Sequence, residues 1–159
     1  MTRESVGRTV GTMRDTLQTR LDDAPPKVFE RVVDIRRLPE WNRAITEVVE
    51  QPSELAPGSV WKVRLHALGQ SWVSVSTLVK LDEASWRFCY RSQTDDGNPS
   101  YAEWEWHVEP DADGSRVTVT VDLYPITFWR KHLLAKVRRP ALRREIRGSL
   151  QALGHVSRA

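Results

Sequence analysis

The chain is poor in the features that staple, anchor or arm a small protein. It has one cysteine, Cys89, in 159 residues, so no internal disulfide can form. A chain of this length buries roughly two thirds of its unfolded surface and needs no staple. A single cysteine is also compatible with a reducing compartment. Long apolar runs are absent: no stretch approaches the ~20 residues that span a bilayer. The first twenty residues mix charge and hydroxyls without an apolar run, so no signal peptide is expected, and the expected location is cytoplasmic. There is no HExxH pair, no glycine-rich phosphate loop and no nucleophile elbow. The four histidines, His66, His107, His132 and His155, share no zinc-ligand spacing, so neither a metal nor a cofactor is expected.

Charge is present but unevenly placed. Residues 129–159 hold nine Lys or Arg against one acid, Glu145, while residues 1–128 are net acidic. A basic tail of this kind marks either a solvated helix face or an anionic partner. Arg138, Arg139, Arg143, Arg144 and Arg147 are the candidates for contact with an anionic membrane surface. No basic–aromatic interleaving accompanies them, so nucleic acid is not an expected partner.

The periodicity changes three times along the chain. Residues 1–11 are expected to be loosely ordered, and 12–157 are expected to form one domain by length. Thr12 to Leu21 alternates as a strand. Asp22-Asp23-Ala24-Pro25 opens a helix, with aspartates suited to the cap and Pro25 to the first turn. Val28, Val32 and Ile35 form its apolar stripe, and a second short helix ends at Trp41. From Ala44 the period is two. Strands follow at Ile45–Val49, Val60–His66 and Ser71–Leu81, then from Trp86, from Ala102 and from Val117. Pro57-Gly58, Leu68-Gly69 and Asp82–Ser85 supply turns, and 92–100 reads as a polar loop. Connections this short make the strands antiparallel. After Pro125 the period is helical. Leu133, Val137, Leu142, Ile146, Leu150 and Leu153 share a stripe, and Pro140 is expected to kink or restart it. Gly148 and Gly154 weaken the helix, which suggests close packing or room for a ligand.

These elements make an α+β domain in which a curved sheet must be covered by the terminal helix. Ala24-Pro25-x-x-Val28-Phe29, Asp34 with Pro39-x-Trp41, Pro57-Gly58, and Gly114-Ser115-Arg116-Val117-Thr118 occur in that order. Together they resemble the START-like (SRPBCC) superfamily and, within it, the polyketide cyclase/dehydrase-like group of bacterial proteins. The resemblance implies a helix-grip fold: a curved seven-stranded antiparallel sheet around a long C-terminal helix, two short helices between the first and second strands, and a hydrophobic cavity inside.

Trp61, Val63, Phe88, Tyr90, Trp104 and Trp106 are the expected sheet wall of that cavity, and Leu142, Ile146 and Leu150 the helix wall. Core packing competes with ligand contact at each of them. Trp41 is read as a plug at one end of the fold. His66, His107, Glu103 and Glu105 fall on the polar phase of their strands. A slip of one residue would carry them, with Arg64 and Arg91, inside. Three functions remain open: binding of a hydrophobic or lipid-like small molecule, a polyketide aromatase/cyclase-like reaction, and a membrane or partner contact through the basic helix. An exposed edge strand could support a dimer, and the oligomeric state does not follow from the sequence.

Overall fold

Alternating side chains in long runs, joined by tight turns, leave a chain little choice but an antiparallel meander. The computed structural model describes residues 13–67, 69–124 and 139–156, without the side chain of Arg139. Its elements run β1 (Met13–Leu21), α1 (Pro25–Val33), a 3-10 turn (Ile35–Arg37), α2 (Leu38–Trp41), β2 (Ile45–Glu50), β3 (Val60–Ala67), β4 (Gln70–Asp82), β5 (Arg87–Thr94), β6 (Tyr101–Asp111), β7 (Gly114–Tyr124) and α3 (Arg139–Val156). The seven strands form one antiparallel sheet in the order β1-β7-β6-β5-β4-β3-β2. The expected loose order of residues 1–11 falls outside the described residues, as do Leu133 and Val137.

The concave face of the sheet carries the core. Val117, Val119 and Val121 of β7 and Val108 of β6 are fully buried, as are Leu150 and Leu153 of α3. Each such side chain contributes about 1.5–3 kcal/mol. α3 lies on β1 and α2, while α1 lies on β6 and β7. Gly154 makes that contact close, since a Cβ there would stand 2.9 Å from Leu21 Cδ2. Pro140 occupies the second position of α3, where a missing N–H has no partner to lose. The segment on which a kink depends precedes the described helix.

Several local expectations are corrected. The N-cap of α1 is Ala24, without a side-chain cap. Asp23 turns away from that role and pairs with Arg31 at 3.0 Å. Trp86 does not belong to β5. The Asp82 carboxylate accepts from Ala84 N, Ser85 N and Ser85 Oγ, and these bonds hold its pKa below the ordinary value. The turn so fixed puts Trp86 at φ 53°, and the strand starts one residue later. β5 also continues to Thr94, because Ser74 and Val75 of the longer β4 pair with Thr94 and Gln93. A bulge between Leu78 and Lys80 leaves Val79 58% exposed on the convex face.

Gly114 and Ser115 tie β7 to the end of β1. Ser115 Oγ donates to Asp23 O at 2.6 Å. A Cβ on Gly114 would lie 2.1 Å from Leu21 O, a backbone atom that cannot step aside. Gly114→Ala is expected to lower stability by about 2 kcal/mol, a fall in Tm of about 4–8 °C for a chain of this size. Thermal unfolding followed by circular dichroism checks it, and an unchanged Tm would show that β1 can yield.

Candidate functional site

The cavity exists because small side chains stand between large ones. In the β3–β4 register Trp61 faces Ser76 and Val63 faces Ser74. In the next register Ser76 faces Ser92 and Leu78 faces Tyr90. β5 and β6 then align Phe88 with Trp106 and Tyr90 with Trp104. Serines on β4 and β5 therefore interrupt a field of rings, and the space above them is not filled.

The rings pack on one another around that gap. Trp61 stacks on Phe88 at 5.9 Å and meets Tyr90 edge-on at 5.2 Å. Tyr90 stacks on Trp104 at 6.1 Å. Trp41, arriving from the end of α2, meets Trp106 edge-to-face at 5.2 Å and 78°. Leu142, Glu145, Ile146 and Ser149 of α3 form the opposite wall, and Asn42 and Ala44 close one end. The free space is about 90 Å³. That is room for a few water molecules, well below the roughly 300 Å³ at the lower end of drug-sized sites.

Of the nine expected wall residues, eight lie around the cavity: Trp61, Val63, Phe88, Tyr90, Trp104, Trp106, Leu142 and Ile146. Leu150 does not. It is a full turn further along α3 and sits in the core at 1% exposure, where the helix has already closed on β1. Trp41 is buried, at 2% exposure, and also lines the cavity. Reading apolar residues overlooked Ser74, Ser76, Ser92, Ser149 and Glu145. A signal for the strand serines was available. Closing a two-residue hairpin at 68–69 and counting back along β3 puts Ser76 beside Trp61 on the inner face.

Polar atoms in the wall are partly committed. Trp104 Nε1 donates to Ser92 Oγ at 3.0 Å, and Trp106 Nε1 to Tyr90 Oη at 3.4 Å. Ser74 Oγ donates to Gln93 O, and Ser149 Oγ accepts from Arg43 N. Burial pushes the Tyr90 phenol up to about 12, against a smaller opposing effect of the Trp106 hydrogen bond. It is a neutral hydroxyl at physiological pH. Among the described lining residues, Glu145 is the carboxylate.

The convex face holds the charges, so the sheet phase is the one read from the alternation. Glu103 pairs with Arg91 at 2.8 Å and Glu105 with Arg87 at 2.9 Å. His66 is exposed beside Ser71, and His107 lies 3.9 Å from Glu109. No group of three metal-ligating side chains occurs among the described residues. No helix described is long and apolar enough to cross a membrane.

The basic segment is less uniform than its sequence. Arg144 and Arg147 are exposed. Arg143 instead reaches β1 and pairs with Asp15 at 2.5 Å, with side chains 41% and 5% exposed. Arg138 and the Arg139 side chain lie outside the described residues.

The chain belongs to the polyketide cyclase/dehydrase and lipid transport family, whose model matches residues 12–158. It has the START-like helix-grip fold. Similar solved structures include an aromatase/cyclase, ZhuI from Streptomyces sp. R1128, with TM-score 0.75 at 16% identity over 93% of this chain and 94% of that one. Ara h 8.0201 gives 0.70 at 21% identity over 92% and 97%. TTHA0849 from Thermus thermophilus gives 0.72 at 17% over 90% and 95%. Identities this low establish the fold and no more. No curated relative matches the chain.

Two expected outcomes follow from these positions. Arg143→Ala should cost about 2 kcal/mol in urea unfolding. It leaves the Asp15 carboxylate buried without this partner, but the half-exposed arginine makes the loss smaller than the ~3–5 kcal/mol of a fully buried pair. Arg144→Ala should stay within about 0.5 kcal/mol, and equal effects of the two would refute the placement. Cys89 is held up at about 11 by burial first and the Glu105 carboxylate second. Its alkylation by iodoacetamide in the folded protein should therefore be slow at pH 8 and keep rising past pH 9 toward 11, because the thiolate is the nucleophile. A plateau by pH 9 would contradict the burial argument.

Proposed function

We propose that this protein binds a small, mainly apolar molecule between the sheet and α3. The observation that supports this best is the interrupted ring field: aromatic side chains on β3, β5 and β6 surround serines that fill no volume. A core selected for stability alone would fill that space, since each missing methylene costs about 1 kcal/mol. Apolar walls supply affinity, and a few hydroxyls orient the occupant. The family description, which names lipid transport beside cyclase chemistry, is compatible with carriage of such a molecule. At about 90 Å³ the resting cavity takes a small occupant. A lipid or polycyclic ligand has to displace wall side chains, with Tyr90 and Trp104 at the less buried side of the ring field.

A second reading, an aromatase/cyclase-like enzyme, is favoured by one feature: two titratable groups, Tyr90 and Glu145, lie in the cavity wall. One solved relative carries that activity in its description. Proton transfer along a poly-keto chain needs such groups within reach of the substrate.

Native mass spectrometry of freshly purified protein, followed by solvent extraction, is the direct test. A discrete adduct of a small, mainly apolar molecule is expected. Ala44 lines the cavity end, so Ala44→Phe should fill it and weaken binding of the extracted compound at least tenfold while Tm moves by only a few degrees. A clean apo mass together with no saturable binding of the dye ANS would overturn the binding reading.

A further inference from the structure

The indole of Trp41 is buried and yet its Nε1 has no acceptor among the described residues. An indole N–H can only donate. Folded proteins pair nearly all buried donors, and an exception calls for an explanation. Trp104 and Trp106, on the same wall, both have acceptors. Trp41 is therefore set apart by its chemistry as well as by its place at the end of α2.

Its surroundings are rich in donors. Trp41 sits edge-on to Trp106, and Trp106 donates to Tyr90 Oη. The Tyr90 oxygen is thus an acceptor already, and its own proton meets no acceptor among the described residues. Burial keeps that proton on the phenol well past neutral pH. Ser92 stands in the same relation, accepting from Trp104 while its hydroxyl proton meets no acceptor among the described residues. The strand side of the wall thus offers the Tyr90 and Ser92 protons beside the Trp41 N–H, while the carboxylate stands across the cavity on α3, so that side suits an occupant that brings lone pairs. A carbonyl oxygen carries two lone pairs and no proton.

Resting on the binding reading above, we propose that Trp41 is the polar anchor of the cavity, its indole N–H donating to a carbonyl-type oxygen of the bound molecule. The ligand class is thereby narrowed from any apolar molecule to a mainly apolar ketone, ester or quinone. Trp41 orients the ligand through that bond and discriminates against a hydrocarbon of the same shape.

Acetophenone and ethylbenzene form a matched pair of single-ring probes that differ at the carbonyl. In nitrogen-15 spectra the Trp41 indole resonance, assigned by its through-space contacts with Trp106, should move downfield with saturating acetophenone. It should move much less with ethylbenzene. Calorimetry with both probes gives an affinity ratio for the native protein. In Trp41→Phe that ratio should shift about tenfold toward ethylbenzene, the worth of one hydrogen bond. An unchanged ratio in a folded Trp41→Phe variant would refute the proposal. So would a Trp41 resonance indifferent to the carbonyl, as expected if the N–H faces the Trp106 ring. The spectra of the native protein decide the matter even if the variant does not fold. Failure of both probes to shift any cavity resonance would instead overturn the binding reading beneath it.

Discussion

A single helix cannot cover a seven-stranded sheet. With strands about 4.8 Å apart, the sheet is close to 30 Å across before curvature, whereas a helix with its side chains is about 10–12 Å wide. The concave face must therefore be covered by several elements, each on its own part. α3 takes the side of β1, where Leu150 and Leu153 seat into the core and Gly154 removes the last obstacle to contact. α1 takes β6 and β7. The middle strands are left to the large rings, to α2 and to the first half of the helix. The rings reach across the remaining distance, and where β4 offers serine instead, space is left over.

This division explains why the two ends of α3 behave differently. Its C-terminal half is a packing element, with leucines fully buried. The part before Leu150 faces the cavity with Leu142, Glu145, Ile146 and Ser149. From that same part, on the β1 side, Arg143 reaches the buried Asp15. A buried ion pair adds little net stability but penalises arrangements that separate its members. Here it joins the first strand to the last helix, elements 128 residues apart in sequence. The convex face shows the complementary arrangement, with Arg14–Asp122, Arg87–Glu105 and Arg91–Glu103 joining neighbouring strands in water. Exposed pairs of that kind are worth a few tenths of a kcal/mol each, so they mark which face is wet more than they hold the sheet.

The legibility of the chain followed the strength of its periodicity. β6 and β7, with strict alternation from Ala102 to Leu123, could be phased correctly because a one-residue slip would bury Glu103, Glu105 and His107 together. Trp86 is misleading in sequence for the opposite reason. It continues the alternation of Phe88 and Tyr90, but the Asp82 side chain binds the backbone of the turn and overrides it. β4 was ambiguous, since serine and valine alternate and either could face inward by composition. Hydrophobicity alone selects Val73 and Val75, and the hairpin register selects the serines. Leu150 shares the stripe of the cavity residues, but a helical stripe shows which face of a helix is buried and not what each turn is buried against.

The amino-acid order by itself determined the element sequence, the antiparallel meander, the inner and outer faces of most strands and the need for a covering helix. Those are consequences of short-range periodicity and of connections too short for crossovers. The tertiary structure decided which inward residues line open space and which fill the core. It also decided that Arg143 turns to Asp15, and that the buried Trp41 donor meets no acceptor among the described residues. These depend on distances between chain segments far apart in sequence, where a serine opposite a tryptophan matters and neither residue alone foretells it.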